Sequence, residues 1–362
     1  MRILFLSPNL GRGGGGAERQ IVTVACLLKE AGCEVEFLCY AEGDFYAHIL
    51  NDKQIPIRWL IHSNYLKRLF GVRKFIRKGR YDVVISFLST PNFLNDFAAL
   101  GGKNWKVITG ERSAKEQTFF TRKGKIFSWF QRYSDYIVCN SDNARKMWMK
   151  HYPAYESKLR TIYNNVTLQP VTSEYVPKKD GKLHIVVAAS YLDVKNPLGL
   201  VKALSMLPDD GKSRIHVDWY GDKNDNERKA VYNEMSKRIK EYSLQNIVLH
   251  PAIENIQDKM NEADIVAIFS KYEGLPNAIC EGMMLGKPII MTRVSDYAAL
   301  ADETNGVLCD WNKPETIKDA LAKVSHFTVN NLLTMGKNSK RKAEILFSTN
   351  TILRNWSTLL YE

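Results

Sequence analysis

Short apolar segments alternate along the chain with longer segments in which apolar residues recur at helical spacing. Residues 3–7 and 34–39 have the length and composition of buried strands, and the helical pattern between them ends at Gly32. Further strands of this kind are predicted at residues 82–87, 106–109 and 136–139. This order of strand and helix predicts a parallel sheet covered by helices.

The alternation is interrupted at residues 168–181, a segment with two prolines and little periodicity, and we predict a linker there. Beyond it, strands are predicted at 183–189, 215–220, 247–250, 265–269 and 288–291, and helices at 197–207, 228–242 and 277–285. The expected fold is therefore α/β, with two Rossmann-like, doubly wound parallel-sheet domains at residues 1–167 and 182–340. We expect the two domains to face each other across a cleft.

The C-terminal residues 341–362 also have a helical pattern. Their large apolar side chains include Trp356, Leu359 and Leu360. We expect this helix to cross back to the first domain and to pack on it.

Composition indicates a folded protein without a membrane span. Of its 362 residues, 45% are hydrophobic, and no apolar run approaches the roughly 20 residues that cross a bilayer. The apolar start at residues 3–6 is too short for the core of a signal peptide. We therefore expect a cytoplasmic protein, and we expect its six cysteines, which form no CxxC pair, to be reduced.

Neither a metal site nor a bound cofactor is expected. The seven histidines are scattered along the sequence, and Asp222 and Asp225 share a polar loop without a third ligand. No Ser-His-Asp arrangement can be inferred. No recognisable nucleic-acid-binding module is present either, so we do not expect nucleic acid as a partner.

The net charge of +12 is confined to the first half of the chain. Residues 1–167 hold 26 basic and 14 acidic residues, whereas the remainder holds 25 of each. Basic residues crowd residues 67–80 and 122–132, where they alternate with aromatic and aliphatic side chains. This combination is typical of contact with an anionic membrane surface. The alternative is a pair of helices with one core-facing side and one solvated basic side.

A glycine-rich segment, GRGGGGAE at residues 11–18, joins the first predicted strand to the first helix. Glycines allow a ligand to approach the backbone, and a helix N-terminus offers N–H groups to an anion. The segment also matches the GxGxxG dinucleotide pattern, but four successive glycines match many patterns, and Glu42 is poorly placed to bind a ribose. The alternative is a turn that binds nothing.

The most specific motif is YEGLPNAICEG at residues 272–282, which follows a predicted buried strand. Open α/β sheets bind ligands at the carboxyl ends of their strands. Backbone N–H groups near Leu275 to Ala278 would point at an anion or at sugar hydroxyls, and Pro276 suits a first helical turn. Glu273 and Glu281 both supply carboxylates, and a carboxylate can accept hydrogen bonds from the two hydroxyls of a ribose.

The sequence resembles the family-four retaining glycosyltransferases of the GT-B fold over nearly the whole chain. The stretch from Glu273 to Glu281 is similar to the two-glutamate signature of that family. Four shorter motifs follow the family's order: GGAE at 15–18, NNV at 164–166, YGD at 220–222 and GKP at 286–288.

The resemblance implies a role for each donor-site residue. Glu281 would hold the nucleotide ribose, and Glu273 would act at the reacting centre with the backbone of Gly274, Leu275, Pro276 and Asn277 around the donor sugar. Gly15 and Gly16 would approach the diphosphate, and Lys195 would neutralise it as it departs, because fixed cations stabilise developing negative charge. The alternative for Lys195 is an ordinary surface lysine.

Two positions depart from the family pattern. Ser190 stands among the donor-binding residues where similar transferases usually have an arginine. Neutralisation of the diphosphate would then depend on Lys195, the two helix N-termini and another cation such as Arg112 or Arg293. Glu111 and Arg112 occupy the region where many relatives have a histidine, and we assign both to the acceptor side.

The resemblance implies transfer of a glycosyl unit, with retention, from a nucleotide-diphosphate sugar to a hydroxyl group. A UDP-sugar is the expected donor, and no metal is required. The expected acceptor is a glycan or lipid-linked glycan of cell-surface polysaccharide synthesis, such as lipopolysaccharide or capsule, at the inner face of the membrane. Three alternatives stay open: an NAD-dependent oxidoreductase, a sugar-nucleotide epimerase of similar fold, and a non-catalytic protein that binds nucleotide sugars or membranes.

Overall fold

The computed structural model describes residues 1–11, 16–112, 115–168, 176 and 180–362. The chain divides into two compact units. The first is formed by Met1–Asn165 together with Thr349–Glu362, and the second by Val166–Ser348. Most of the predicted linker, namely residues 169–175 and 177–179, lies outside the described residues.

The first unit contains a seven-stranded sheet in the order β3-β2-β1-β4-β5-β6-β7, in which every described pair is parallel. Its strands are β1 (Arg2–Ser7), β2 (Glu34–Cys39), β3 (Ile57–Trp59), β4 (Val83–Phe87), β5 (Lys106–Glu111), β6 (Tyr136–Cys139) and β7 (Leu159–Thr161). Its first six α-helices are α1 (Gly16–Glu30), α2 (Ala47–Asp52), α3 (Tyr65–Lys78), α4 (Ser89–Ala99), α5 (Arg122–Phe130) and α6 (Asp142–His151). Short 3-10 helices lie at Glu116–Phe120, Gln131–Tyr133 and Pro153–Lys158.

The second unit contains a six-stranded sheet in the order β10-β9-β8-β11-β12-β13, again with parallel pairs. Its strands are β8 (Leu183–Ala188), β9 (Ile215–Gly221), β10 (Ile247–Pro251), β11 (Ile265–Ile268), β12 (Ile289–Thr292) and β13 (Gly306–Cys309). Its helices are α7 (Pro197–Ser205), α8 (Asp209–Ser213), α9 (Asn226–Glu241), α10 (Ile256–Glu262), α11 (Asn277–Met284), α12 (Tyr297–Leu300), α13 (Pro314–Val324) and α14 (Val329–Phe347), with a 3-10 turn at Asp193–Lys195. The predicted α/β class with two parallel-sheet domains is confirmed.

Side-chain caps fix the starts of several helices where the sequence has a short polar residue. The side chain of Ser141 accepts a hydrogen bond at the start of α6, that of Asp225 at α9 and that of Thr328 at α14. Such caps pair backbone N–H groups that the first helical turn cannot satisfy, and each stabilises its helix by about 1 kcal/mol. Local sequence therefore sets where these helices begin.

Strand order places a crossover point in each sheet. In the first sheet β1 lies between β2 and β4, and in the second sheet β8 lies between β9 and β11. Connections leave such neighbouring strands toward opposite sides, which opens a crevice at their carboxyl ends. A ligand site in the second unit is therefore expected at the segments that follow β8 and β11.

The C-terminal helix α15 (Thr349–Tyr361) belongs to the first unit. Trp356 is buried there, and its ring lies 6.3 Å from that of Phe87. Lys106 Nζ donates to the last carbonyls of the helix, at 3.1 Å and 3.0 Å. The division between units falls after Ser348 and not at 340/341 as predicted, because α14 continues to Phe347.

Among the described helices, none is both long enough and apolar enough to span a bilayer.

We predict that Trp356→Ala lowers the stability of the first unit by about 3–5 kcal/mol, because it leaves a cavity beside Phe87. Urea unfolding followed by circular dichroism measures the change. Tyr361→Ala is the matched control, since Tyr361 ends the same helix and is exposed. Equal midpoints for the two variants would show that α15 contributes little to the core.

Candidate functional site

The candidate site of the second unit lies at the carboxyl ends of β8 and β11. These strands are adjacent and parallel, with Val187 paired to Ala267. The chain after β8 carries Ser190 and Lys195, and the chain after β11 carries the predicted glutamate loop. A backbone hydrogen bond of 2.8 Å from Lys271 to Val194 joins the two loops. Residues far apart in the sequence therefore meet at one edge of the sheet.

Lys195 and Glu273, the two residues predicted to be catalytic, are in direct contact. Lys195 Nζ donates to Glu273 Oε1 at 2.6 Å, and Ser270 Oγ donates to the same oxygen at 2.6 Å. Their side chains are 26% and 13% exposed, so the pair is shielded from water but remains accessible. An ammonium group and a carboxylate are thus held together where the loops after β8 and β11 meet.

Glu281 lies on α11 and is only 5% exposed. Gln257 Nε2 donates to its Oε2 at 3.4 Å. The neighbouring Ile279, Cys280 and Met283 are buried apolar side chains. Burial of a carboxylate is unfavourable unless its oxygens accept hydrogen bonds. Gln257 meets part of this requirement, and the carboxylate at this position can also accept hydrogen bonds from hydroxyl groups.

The loop before α11 presents backbone groups. The carbonyl oxygen of Gly274 accepts a hydrogen bond from Ser295 Oγ. The side chain of Leu275 is buried. Pro276 is the N-cap residue, one position before the helical turn in which we expected it, and it has no side-chain cap hydrogen bond. Asn277 begins the helix. The first N–H groups of a helix point outward along its axis and attract anions.

The close packing of α11 on the sheet requires a glycine. A Cβ atom at Gly282 would lie 2.7 Å from the Cβ of Val266 on β11. Without a side chain at this position, α11, which carries Glu281, packs closely on β11, the strand that precedes Glu273. The motif's last glycine is therefore explained by packing.

Ser190 is in contact with a charged residue, Asp222. Its Oγ donates to Asp222 Oδ2 at 2.7 Å, and Asp222 Oδ1 lies 3.0 Å from Arg228 Nε. Arg228 also pairs with Asp225. Sequence analysis missed Arg228, although its position in the first turn after the Asp225 cap was a signal that it faces this loop. Because two aspartates hold it, Arg228 does not replace the expected arginine.

Arg293, considered as another source of positive charge, pairs with Asp310 at 3.0 Å and is well exposed. In the second unit, Lys195 is therefore the predicted cation that the structure brings into contact with Glu273.

The remaining predicted residues belong to the first unit. Gly15 lies outside the described residues, and Gly16 is the exposed first residue of α1. Glu111 ends β5 and accepts a hydrogen bond of 3.3 Å from Trp148 Nε1. Glu111 also lines a cleft of about 270 Å³ whose walls include Ser89, Asn92, Phe119 and Trp148. These residues are not part of the Lys195–Glu273 cluster.

Arg112 follows β5, and its guanidinium carbon lies 3.5 Å from the centre of the Phe87 ring. Nη1 donates to Asn164 Oδ1 at 3.2 Å, whereas Nε and Nη2 are buried and have no hydrogen-bond partner among the described residues. Burial lowers the pKa of this guanidinium to about 9. Buried donors without partners are costly, so the group is suited to receive an anionic ligand.

Comparison with known proteins identifies both halves of the chain. Residues 14–169 match the model of Glycosyltransferase Family 4, and residues 182–326 match that of Glycosyl transferases group 1.

Two curated relatives match most of the chain. A GalNAc-α-(1→4)-GalNAc-α-(1→3)-diNAcBac-PP-undecaprenol α-1,4-N-acetyl-D-galactosaminyltransferase of Campylobacter jejuni is 26% identical over 294 residues, 78% of this chain and 77% of its own. A UDP-Gal:α-D-GlcNAc-diphosphoundecaprenol α-1,3-galactosyltransferase of Escherichia coli is 22% identical over 307 residues, 76% of this chain and 74% of its own.

Solved structures share the fold. Anabaena HepE, in complex with UDP and glucose, superposes with a TM-score of 0.83 at 16% identity, covering 100% of this chain and 99% of its own. Staphylococcus aureus TarM gives a TM-score of 0.78 at 11% identity and covers 100% and 99%. With two family models over most of its length, a parallel-sheet domain in each unit and the two-glutamate loop at a strand crossover, the chain belongs to the family-four glycosyltransferases.

Proposed function

We propose that the protein transfers a sugar from a UDP-sugar to a hydroxyl group of a polyprenol-diphosphate-linked glycan, with retention of the anomeric configuration. The observation that carries the proposal is the 2.6 Å contact of Lys195 with Glu273 at the carboxyl ends of β8 and β11. The names of the C. jejuni and E. coli relatives support the acceptor class. The E. coli relative and the complexes of HepE support the uridine nucleotide.

The chemistry assigns separate tasks to the two residues. As the bond between the anomeric carbon and the β-phosphate breaks, negative charge develops on the leaving diphosphate. Lys195 Nζ and the N-terminus of α11 would stabilise that charge, since preorganised dipoles and cations act strongly where water is excluded. Glu273, fixed by Lys195 and Ser270, would accept hydrogen bonds from donor-sugar hydroxyls.

The proposed retention of the anomeric configuration is compatible with these roles of Lys195 and Glu273. The acceptor hydroxyl would attack from the face that the diphosphate leaves, and its proton would pass to a phosphate oxygen. No protein base is then needed on the opposite face of the sugar. The proposal includes no metal requirement, because Lys195 and the helix N-terminus supply positive charge to the phosphates.

Arg112 is proposed to bind the acceptor. A polyprenol diphosphate carries an anionic group that suits a buried guanidinium, two of whose nitrogens have no hydrogen-bond partner among the described residues. Glu111, the neighbouring residue, lines the cleft of the first unit.

The same unit is proposed to rest on the inner face of the membrane. Helix α4 contacts both α3 and α5, so the two basic stretches flank one helix. Exposed apolar side chains accompany them: Leu66 and Phe70 on α3, and Ile126 and Trp129 on α5. Arg73 and Arg77 donate to carbonyls between Phe97 and Gly102, so these two basic residues cap α4. Lys67, Lys74 and Lys78 are exposed and are the residues assigned to the membrane.

Turnover tests the proposed reaction. With a panel of UDP-sugars and a short-chain polyprenol-diphosphate glycan, we expect transfer with retention, and we expect Lys195→Met to lower kcat by about 10²–10³-fold. Product analysis by mass spectrometry and NMR measures both. Lys318→Met is the control, because Lys318 pairs with Asp319 on α13.

Nucleotide binding without turnover across the panel would favour a non-catalytic protein, and an inverted product would refute retention. Interconversion of the UDP-sugar in the absence of acceptor would instead indicate an epimerase.

Glu281→Ala should weaken UDP binding by about 1–3 kcal/mol, or about 5- to 150-fold in Kd, because ribose hydroxyls lose a buried acceptor. Isothermal titration calorimetry gives the affinity, and Glu281→Gln tests the charge while keeping the side-chain volume. Glu303→Ala, at an exposed acid of the same unit, should bind UDP normally. Unchanged affinity in folded Glu281→Ala would remove the ribose role.

Reversal of Lys67, Lys74 and Lys78 to Glu should weaken binding to anionic vesicles by about 100-fold, since each basic residue contributes about 1 kcal/mol at such a surface. Vesicle sedimentation measures the binding. Reversal of Lys229, Lys237 and Lys240 on α9 changes the net charge equally and should have little effect. If both triple variants bind equally well, the membrane surface is not on α3.

A further inference from the structure

Three histidines that are dispersed in the sequence lie close together on the second sheet. His184 is the second residue of β8 and His216 the second residue of β9, and the strand register pairs them. The centres of their rings are 5.1 Å apart. Asp218 follows His216 by two positions, so its side chain leaves the same face of the sheet. Sheet register, and not sequence spacing, creates the cluster.

The donor atoms of this cluster are near enough to share an ion. A ring nitrogen from each of His184 and His216 and a carboxylate oxygen of Asp218 all lie within 4.8 Å of one another. His216 Nε2 is 3.4 Å from Asp218 Oδ1. Tetrahedral Zn²⁺ with ligands at about 2.0–2.2 Å separates ligand atoms by about 3.3–3.6 Å. The separation between His216 Nε2 and Asp218 Oδ1 already falls in that range.

Neighbouring groups already orient the donors. His250 Nε2, on β10, lies 2.7 Å from Asp218 Oδ1. Asp180 Oδ2 lies 2.8 Å from His184 Nε2. The side chains of His184 and Asp218 are 8% and 16% exposed, so water is largely excluded. Hydrogen-bonded partners of this kind fix the orientation of metal ligands and raise affinity.

We propose that His184, His216 and Asp218 form a binding site for a Zn²⁺-class cation, with His250 as the residue that positions Asp218. Imidazole and carboxylate ligands match the preferences of Zn²⁺, and the two carboxylates near the site offset its charge. The cation would tie β8 to β9 near their amino ends. Lys195 and Glu273 follow the carboxyl ends of β8 and β11, so the proposed role is stabilisation of the second unit and not sugar transfer. The sequence-based expectation of no metal site rested on the dispersion of the histidines.

The experiment uses full-length protein without a histidine tag, stripped with a chelator. We expect one equivalent of Zn²⁺ to bind in a competition assay with a chromophoric chelator and to raise Tm, whereas Mg²⁺, which prefers oxygen ligands, should not. Co²⁺ in the same site should give the visible absorption of a four-coordinate ion.

His216→Ala and Asp218→Asn should each abolish stoichiometric binding, and His250→Ala should weaken it by about 10–100-fold. His326→Ala, at an exposed histidine of the same unit, should bind normally. Circular dichroism confirms that each variant is folded. Absence of Zn²⁺ binding, or equal binding by wild type, His216→Ala and Asp218→Asn, would overturn the proposal. None of these readouts depends on transferase activity, so they are independent of the proposed function.

Discussion

The adjacency of β8 and β11 is the constraint on which the candidate site depends. It brings Lys195, from the turn after one strand, within 2.6 Å of Glu273, from the loop after the other. The Coulomb attraction within an ion pair is stronger where water is excluded, but loss of hydration opposes it, so such a pair needs a backbone that positions both partners well. Gly282 keeps α11 against β11, and Ser270 holds the acid from its own loop. The sheet therefore preorganises the groups that would meet a diphosphate and a sugar.

The charge balance of this edge differs from the one that the family resemblance implies. Ser190 gives its hydrogen bond to Asp222, and Asp222 and Asp225 together carry more negative charge than Arg228 neutralises. These residues would therefore do little to stabilise the negative charge of a departing diphosphate. Lys195 and the N-terminus of α11 must then stabilise more of the developing charge, in keeping with the large fall in kcat that we expect for Lys195→Met.

Sequence patterns predicted the elements whose side chains are buried on both faces. β1, β4, β8 and β11 are predominantly apolar and almost entirely buried, and all of them were predicted. β3, β7 and β13 were missed, and all three lie at a sheet edge; β3 and β7 have only three residues, one of them arginine, and β13 has four. The two-glutamate loop was found from its spacing, whereas the contacts of Ser190 and the cluster around Asp218 arise from strand register, which spacing does not reveal. Gly15 lies outside the described residues, so its role stays a prediction.

Charge counting has a similar limit in the first unit. The excess of basic residues drew attention to residues 67–80, but Arg73 and Arg77 use their guanidinium groups to bind carbonyls at the end of α4. Arginines in that position stabilise a helix terminus and have fewer donors left for lipid phosphates. The proposed membrane contact therefore depends on the exposed lysines near Leu66 and Phe70. The net charge of the segment overstates the number of cations available to lipid on this proposed membrane surface.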